Sequence, residues 1–126
     1  MSFLYHNIMQ VKNRIHKNVL YISLDGELDE HTAEYTRINL DRMLTASQAM
    51  HIVIDLAHLR FMDSTGIGVL IGRYKMLENR GEGGRLMTVS VSDSVYRLFD
   101  LSGLTKILTN YKTINEALGV SEGDAV

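Results

Sequence analysis

The chain has 126 residues with no cysteine or proline, and 13 basic against 15 acidic side chains give a formal net charge of −2. That length suits one core, and the missing cysteines exclude disulfides, thiolate nucleophiles and cysteine-held metals. The mixed charge offers no basic face to nucleic acid, and no apolar run approaches the ~20 residues of a membrane span. Residues 1–10 carry no signal-peptide apolar region, so a cytoplasmic protein is expected.

Residues 8–11 predict a short opening strand, followed by a polar connection over 13–18. Leu20, Ile22 and Leu24 then alternate with Val19, Tyr21 and Ser23, the period of a strand, which Asp25-Gly26 should end. Asp29 is placed to cap a first helix. Ala33, Thr36, Leu40 and Met43/Leu44 share one face of that helix, which should stop near Ser47. Ile52-Val53-Ile54 is an unbroken apolar run, as a central strand covered on both faces requires. Residues 55–63 read as a connection into a second helix. Its stripe is Ile67, Leu70/Ile71, Tyr74 and Leu77, and Asn79-Arg80-Gly81 closes it.

Residues 86–91 predict a further strand, and Ser92 caps a third helix bearing Val95, Leu98 and Phe99, with Gly103 just past its end. Ile107-Leu108 suggest a short last strand, residues 113–118 a last helical segment, and residues 119–126 a frayed tail. Strands alternating with helices predict one α/β domain over residues 1–126, with its core at about 8–118. The expected sheet has about five strands, mostly parallel with the first two antiparallel, and about four helices pack on it.

Few residues are suited to difficult chemistry. The histidines His6, His16, His31, His51 and His58 contain no close pair at helical spacing, so no metal site is expected. Glu27, Asp29 and Glu30 fit a helix start, where acids complement exposed amides, better than a general acid–base pair. Gly66-Ile67-Gly68 with Gly72 spells GxGxxxG, not a dinucleotide fingerprint, and no Walker motif occurs. Gly68 and Gly72, four apart on a helix, read as a small-residue packing face, so no nucleotide cofactor is expected.

Ser64 is the sharpest feature, and three readings compete for it. A hydrolase elbow would need Gly at position 62, where Met62 stands, and no histidine can be assigned as its base. A helix cap is the stronger reading on residue type alone. The third reading is a phosphoryl acceptor served by another protein. Phosphorylation would add about −1.5 to −2 charges, which the helix dipole favours by only ~0.3–1 kcal/mol. Against an acidic or apolar partner surface the repulsion is ~1 to ~4 kcal/mol. That is roughly five- to thousand-fold in affinity.

At these residues a resemblance becomes specific. Phe61-Met62-Asp63-Ser64-Thr65-Gly66-Ile67-Gly68, continued by Gly72-Arg73-Tyr74-Lys75, resembles the signature of the anti-sigma factor antagonists of the STAS domain family. Gly26-Glu27-Leu28-Asp29 with His31-Thr32-Ala33-Glu34, and Arg97-Leu98-Phe99-Asp100 with Ser102-Gly103-Leu104, are similar to two further blocks of the family. The resemblance spans about residues 19–118.

The resemblance implies a switch rather than an enzyme. The unphosphorylated protein would bind an anti-sigma factor that is also a serine kinase, and so free a sigma factor. Phosphorylation at Ser64 would end the complex, and a serine phosphatase would reset it. ATP and Mg²⁺ would come with the kinase, leaving this chain no cofactor of its own. Glu27, Asp29, Asp63, Thr65, Gly66 and Ile67 map to the partner-binding surface. Ser92-Asp93 stands where relatives often have Ser-Pro, and the turn Gly81-Glu82-Gly83-Gly84 is longer than the family's average. Thr65 favours the general-stress branch, while the Glu27–Glu34 block and Gly72-Arg73-Tyr74-Lys75 favour the sporulation branch. A ligand-binding or scaffolding STAS module that is not phosphorylated remains an alternative, with a serine hydrolase behind it. The free domain is expected to be monomeric and off the membrane.

Overall fold

The structure is a computed structural model describing residues 9–119. Ile8 of the predicted opening strand, His6 and residues 120–126 of the predicted tail lie outside the described residues.

Strands β1 (Met9–His16) and β2 (Val19–Leu28) form an antiparallel hairpin closed by Lys17 and Asn18. Lys17 takes φ 56°, in the left-handed region that two-residue hairpin turns require. The opening strand is therefore longer than its apolar pattern predicted. Asn13–His16, expected as connection, pair with Val19–Ile22 on an exposed edge where polar residues carry no cost. Asp25-Gly26 does not end β2 either: Gly26 adopts φ 143° and the register shifts between Gly26 and Glu27. That bulge turns the strand so that its last residues meet a new neighbour.

Helix α1 (Ala33–Ser47) leads to β3 (His51–Asp55), which pairs parallel with the first half of β2. A short strand, β4 (Leu59–Met62), then pairs parallel with β2 beyond the bulge. It occupies most of the segment expected to be a plain connection. Helix α2 (Ser64–Arg80) ends on Gly81 at φ 68°. Strand β5 (Leu86–Val89), helix α3 (Asp93–Ser102), a 3₁₀ turn at Leu104–Lys106, β6 (Thr109–Tyr111) and α4 (Ile114–Leu118) complete the order. The 3₁₀ turn carries the chain past Ile107 and Leu108, so the last strand begins two residues later than predicted, and Leu108 is buried as core.

The sheet runs β1-β2-β3-β5-β6, with β4 beside β2, and every pairing except β1–β2 is parallel. Alternation along the strands separates two cores. Leu20, Ile22, Leu24, Ile52 and Ile54 face the larger one, against Leu40 and Leu44 of α1, Leu70 of α2 and Phe99 of α3. Val19, Tyr21, Val53, Met87 and Val89 face the smaller one, covered by Ala117, Ile114 and Leu118 of the five-residue α4. Among the described residues, three helices pack on one face and the short α4 on the other.

Candidate functional site

The parallel register of β2 and β4 sets Glu27 against Phe61 and Leu28 against Met62. Both strands therefore end at the same level, and the loops that follow them lie side by side. The Asp63 amide donates to the Leu28 carbonyl at 3.2 Å, tying the loops together. This juxtaposes the two acidic segments that the sequence holds far apart.

Asp63 is the N-cap of α2, with extended backbone at φ −114° and ψ −169°. Its Oδ1 accepts from the Thr65 amide at 2.9 Å and also from the Thr65 hydroxyl. Ser64 therefore does not cap the helix, as residue type alone favoured. It is the first helical residue, exposed, and its hydroxyl has no hydrogen-bond partner among the described residues. The carboxylate one residue earlier takes the free Thr65 amide and leaves the exposed serine without a capping role.

Asp29 does not cap α1 directly. Its Oδ1 accepts from the amides of His31 and Thr32 at 2.8 and 3.2 Å, capping a turn just before the helix, and Thr32 is the N-cap residue. The buried Thr32 hydroxyl donates to the Glu27 carbonyl at 2.7 Å and accepts from the Asp29 amide at 3.1 Å. The acidic loop is thus internally braced, with the carboxylate of Asp29 19% exposed. His31 Nδ1 lies 3.6 Å from it.

Of the remaining residues mapped to the binding surface, Thr65 and Asp63 reach solvent, whereas Gly66 and Ile67 turn into the core. A Cβ on Gly66 would fall 2.6 Å from Met62 Cγ and 3.0 Å from Leu28 Cγ. Glycine there lets the first turn of α2 rest on the ends of β4 and β2. Gly68 and Gly72 do not play the packing role expected of them, since a Cβ on either meets nothing within 4 Å among the described residues. The close approach of α2 to the sheet falls on Gly66 instead, two residues before the expected packing face.

Farther along α2, Arg73 is 8% exposed and its Nε lies 3.1 Å from Asp41 Oδ1 on α1, without the alignment of a hydrogen bond. Arg37 approaches the other oxygen of Asp41 at 3.3 Å. Burial lowers the affinity of Arg73 for its proton, and the charge of Asp41 opposes that effect. This polar cluster joins the helices that follow the two site loops.

Arg60 and Leu101 carry no signal in the sequence, and Phe61 enters there only as part of the 61–68 signature. Phe61 is 49% exposed and Leu101 80%, and with Arg60, Arg97 and Leu98 they line a groove of about 310 Å³ between β4 and α3. Only the presence of β4 places Arg60 and Phe61 outward, so the missed strand concealed them. Among the described residues no cluster of three or more His, Asp or Glu could hold a metal ion, and no helix is long and apolar enough to cross a membrane. Ser64 has no hydrogen bond to a histidine among these residues.

The fold and the paired loops match a known class. The family model for the STAS domain matches residues 10–117, and the chain belongs to that family. Within it, the chain is 40% identical over 118 residues to the anti-sigma F factor antagonist of Paenibacillus polymyxa, covering 94% of this chain and 97% of that one. It is 35% identical over 92 residues to the anti-sigma-B factor antagonist of Bacillus subtilis (strain 168), covering 73% and 81%. The Bacillus cell fate determinant SpoIIAA, solved in its phosphorylated form, superposes with a TM-score of 0.64 at 29% identity, over 88% of this chain and 96% of that one.

Proposed function

We propose that this protein is an anti-sigma factor antagonist whose hold on its partner is switched by phosphorylation of Ser64. The unphosphorylated form binds an anti-sigma factor that is also a serine kinase, and the sigma factor is released. Within that complex the γ-phosphoryl group of ATP passes to Ser64 Oγ, ADP leaves, and the hydroxyl proton goes to a base of the kinase. ATP and Mg²⁺ belong to the kinase. A serine phosphatase hydrolyses the ester and resets the switch.

One observation carries this reading: the exposed Ser64 hydroxyl, left unpaired because Asp63 does the capping. A phosphate there would sit beside Asp63 and opposite the Glu27–Asp29 loop. Its new charge would be added to an already acidic edge, so like-charge repulsion would raise the cost of an acidic partner surface and desolvation that of an apolar one. Glu27, Asp29, Asp63 and Thr65 form the outward part of the binding surface, and Gly66 and Ile67 set its backbone from beneath. The sporulation branch is favoured over the general-stress branch by the longer and closer match to the anti-sigma F antagonist.

Intact-mass measurement after incubation with candidate anti-sigma kinases, ATP and Mg²⁺ tests the proposal. A single phosphate mapped to Ser64, absent from Ser64→Ala, is expected. No phosphate with kinases of either branch would leave an unmodified STAS module. Ester turnover lost on Ser64→Ala would establish a hydrolase instead.

A further inference from the structure

The face of the sheet that packs against α4 holds a cavity of about 230 Å³, on the side opposite α2 and Ser64. Strand register builds it in two rows. Arg14, Tyr21 and Val53 stand side by side across β1, β2 and β3, and Lys12, Ser23 and Asp55 form the next row on the same face. Ile114 of α4 closes one wall.

Three features of these rows point to a ligand. The Tyr21 hydroxyl is buried and has no hydrogen-bond partner among the described residues, although buried donors are ordinarily satisfied. Arg14 and Lys12 have no ion-pair partner among the described residues, and the Arg14 guanidinium lies 4.3 Å from the centre of the Tyr21 ring. The floor and wall, by contrast, are apolar, from Val53, Ile114 and the Tyr21 ring. A donor without an acceptor, two cations and an apolar floor together fit an anion with an apolar body.

We propose that this cavity binds a small monocarboxylate bearing a short apolar chain. The exposed Arg14 side chain swings from the Tyr21 ring, and the carboxylate accepts from the Tyr21 hydroxyl while Arg14 and Lys12 neutralise it. The chain lies on Val53 and Ile114. Asp55, whose Oδ1 already accepts from the Ala57 amide at 2.9 Å, faces the same space and opposes a second anionic group. The lining therefore carries two positive charges against one negative and selects a monoanion. The volume lies below the usual range of drug-sized sites, which suits a small acid. This inference does not depend on Ser64.

Amide NMR titration of the full chain with octanoate tests it. Saturable shifts centred on Tyr21, Ser23, Val53 and Ile114 are expected. Tyr21→Phe and Arg14→Gln should each weaken binding about tenfold or more, as loss of a hydrogen bond to a charged group does. Octanol, which lacks the charge, and octanedioate, which turns a second carboxylate toward Asp55, should both bind at least about tenfold more weakly. Absence of saturable shifts at these residues would overturn the proposal, as would octanol binding as tightly as octanoate or Tyr21→Phe binding as tightly as the parent. Unliganded Tyr21→Phe should melt no lower than the parent, because it deletes an unpaired buried hydroxyl. A lowered melting temperature would show that the hydroxyl already has a partner, and would remove the premise.

Discussion

Asp63 and Leu28 are joined by a 3.2 Å hydrogen bond from the amide of one to the carbonyl of the other. Thirty-five positions separate them in the chain, yet this bond continues the β2–β4 ladder by one step and holds the acidic loop against the start of α2. The Ser64 hydroxyl, the Asp63 carboxylate and the Glu27–Asp29 loop thereby share one edge of the domain.

Charge at position 64 is the variable that this edge should read. Ser64→Ala should bind the anti-sigma partner with affinity near that of the parent and stay bound when ATP is added. Ser64→Asp should bind roughly five- to thousand-fold more weakly, the range expected for ~1 to ~4 kcal/mol of repulsion. Calorimetric titration against the partner measures both, and an aspartate variant as tight as the parent would sink the charge account.

Asp63 should matter to stability as well as to binding. Asp63→Ala deletes the cap of α2 and should cost about 0.5–2 kcal/mol in urea unfolding. Asp63→Asn keeps an acceptor at the same place and should recover most of that loss. Comparison of the two separates the cap from the charge.

The glycines of α2 should respond with opposite signs. Gly66→Ala forces a Cβ to within 2.6 Å of Met62 Cγ, and overpacking of this kind costs about 1–3 kcal/mol. Gly68→Ala and Gly72→Ala meet open space and should each stabilise by up to about 1 kcal/mol through helix propensity. Thermal melts of the three variants decide the matter. A stabilised Gly66→Ala would show that Met62 and Leu28 shift without cost.

The Arg73–Asp41 pair should behave as a buried ion does when one partner is lost. Asp41→Ala leaves the guanidinium without its carboxylate and should cost about 1–3 kcal/mol, less than a fully buried pair because Asp41 is 31% exposed. Arg73→Met removes the charge while keeping the bulk, and should stay within about 1 kcal/mol of the parent. Chemical unfolding of both variants, with their double mutant, isolates the interaction.

Much of this architecture is written locally. The stripes of α1 and α2 and the apolar face of α3 are helix-period patterns, and Gly81, Ser92 and Gly103 punctuate them as their side chains and φ values require. Such signals survive because a helix is decided by neighbours three and four residues away. The Asp63-Ser64-Thr65-Gly66 signature is equally local, and the resemblance it carries was sufficient to name the family.

What needed the tertiary structure was everything decided between distant segments. Strand β4 has only four residues, with Leu59 and Met62 buried and Arg60 and Phe61 exposed, a pattern too short to read. It exists because the bulge at Gly26 turns β2 toward it. The choice of Asp63 over Ser64 as the cap, and of Gly66 over Gly68 as the packing glycine, was likewise settled by what each meets in space. With 13 basic and 15 acidic side chains, the chain is nearly neutral as a whole. Folding sorts those charges, setting acids beside Ser64 on one edge and Lys12 and Arg14 over the opposite face of the sheet, because strand register alone decides which distant side chains become neighbours.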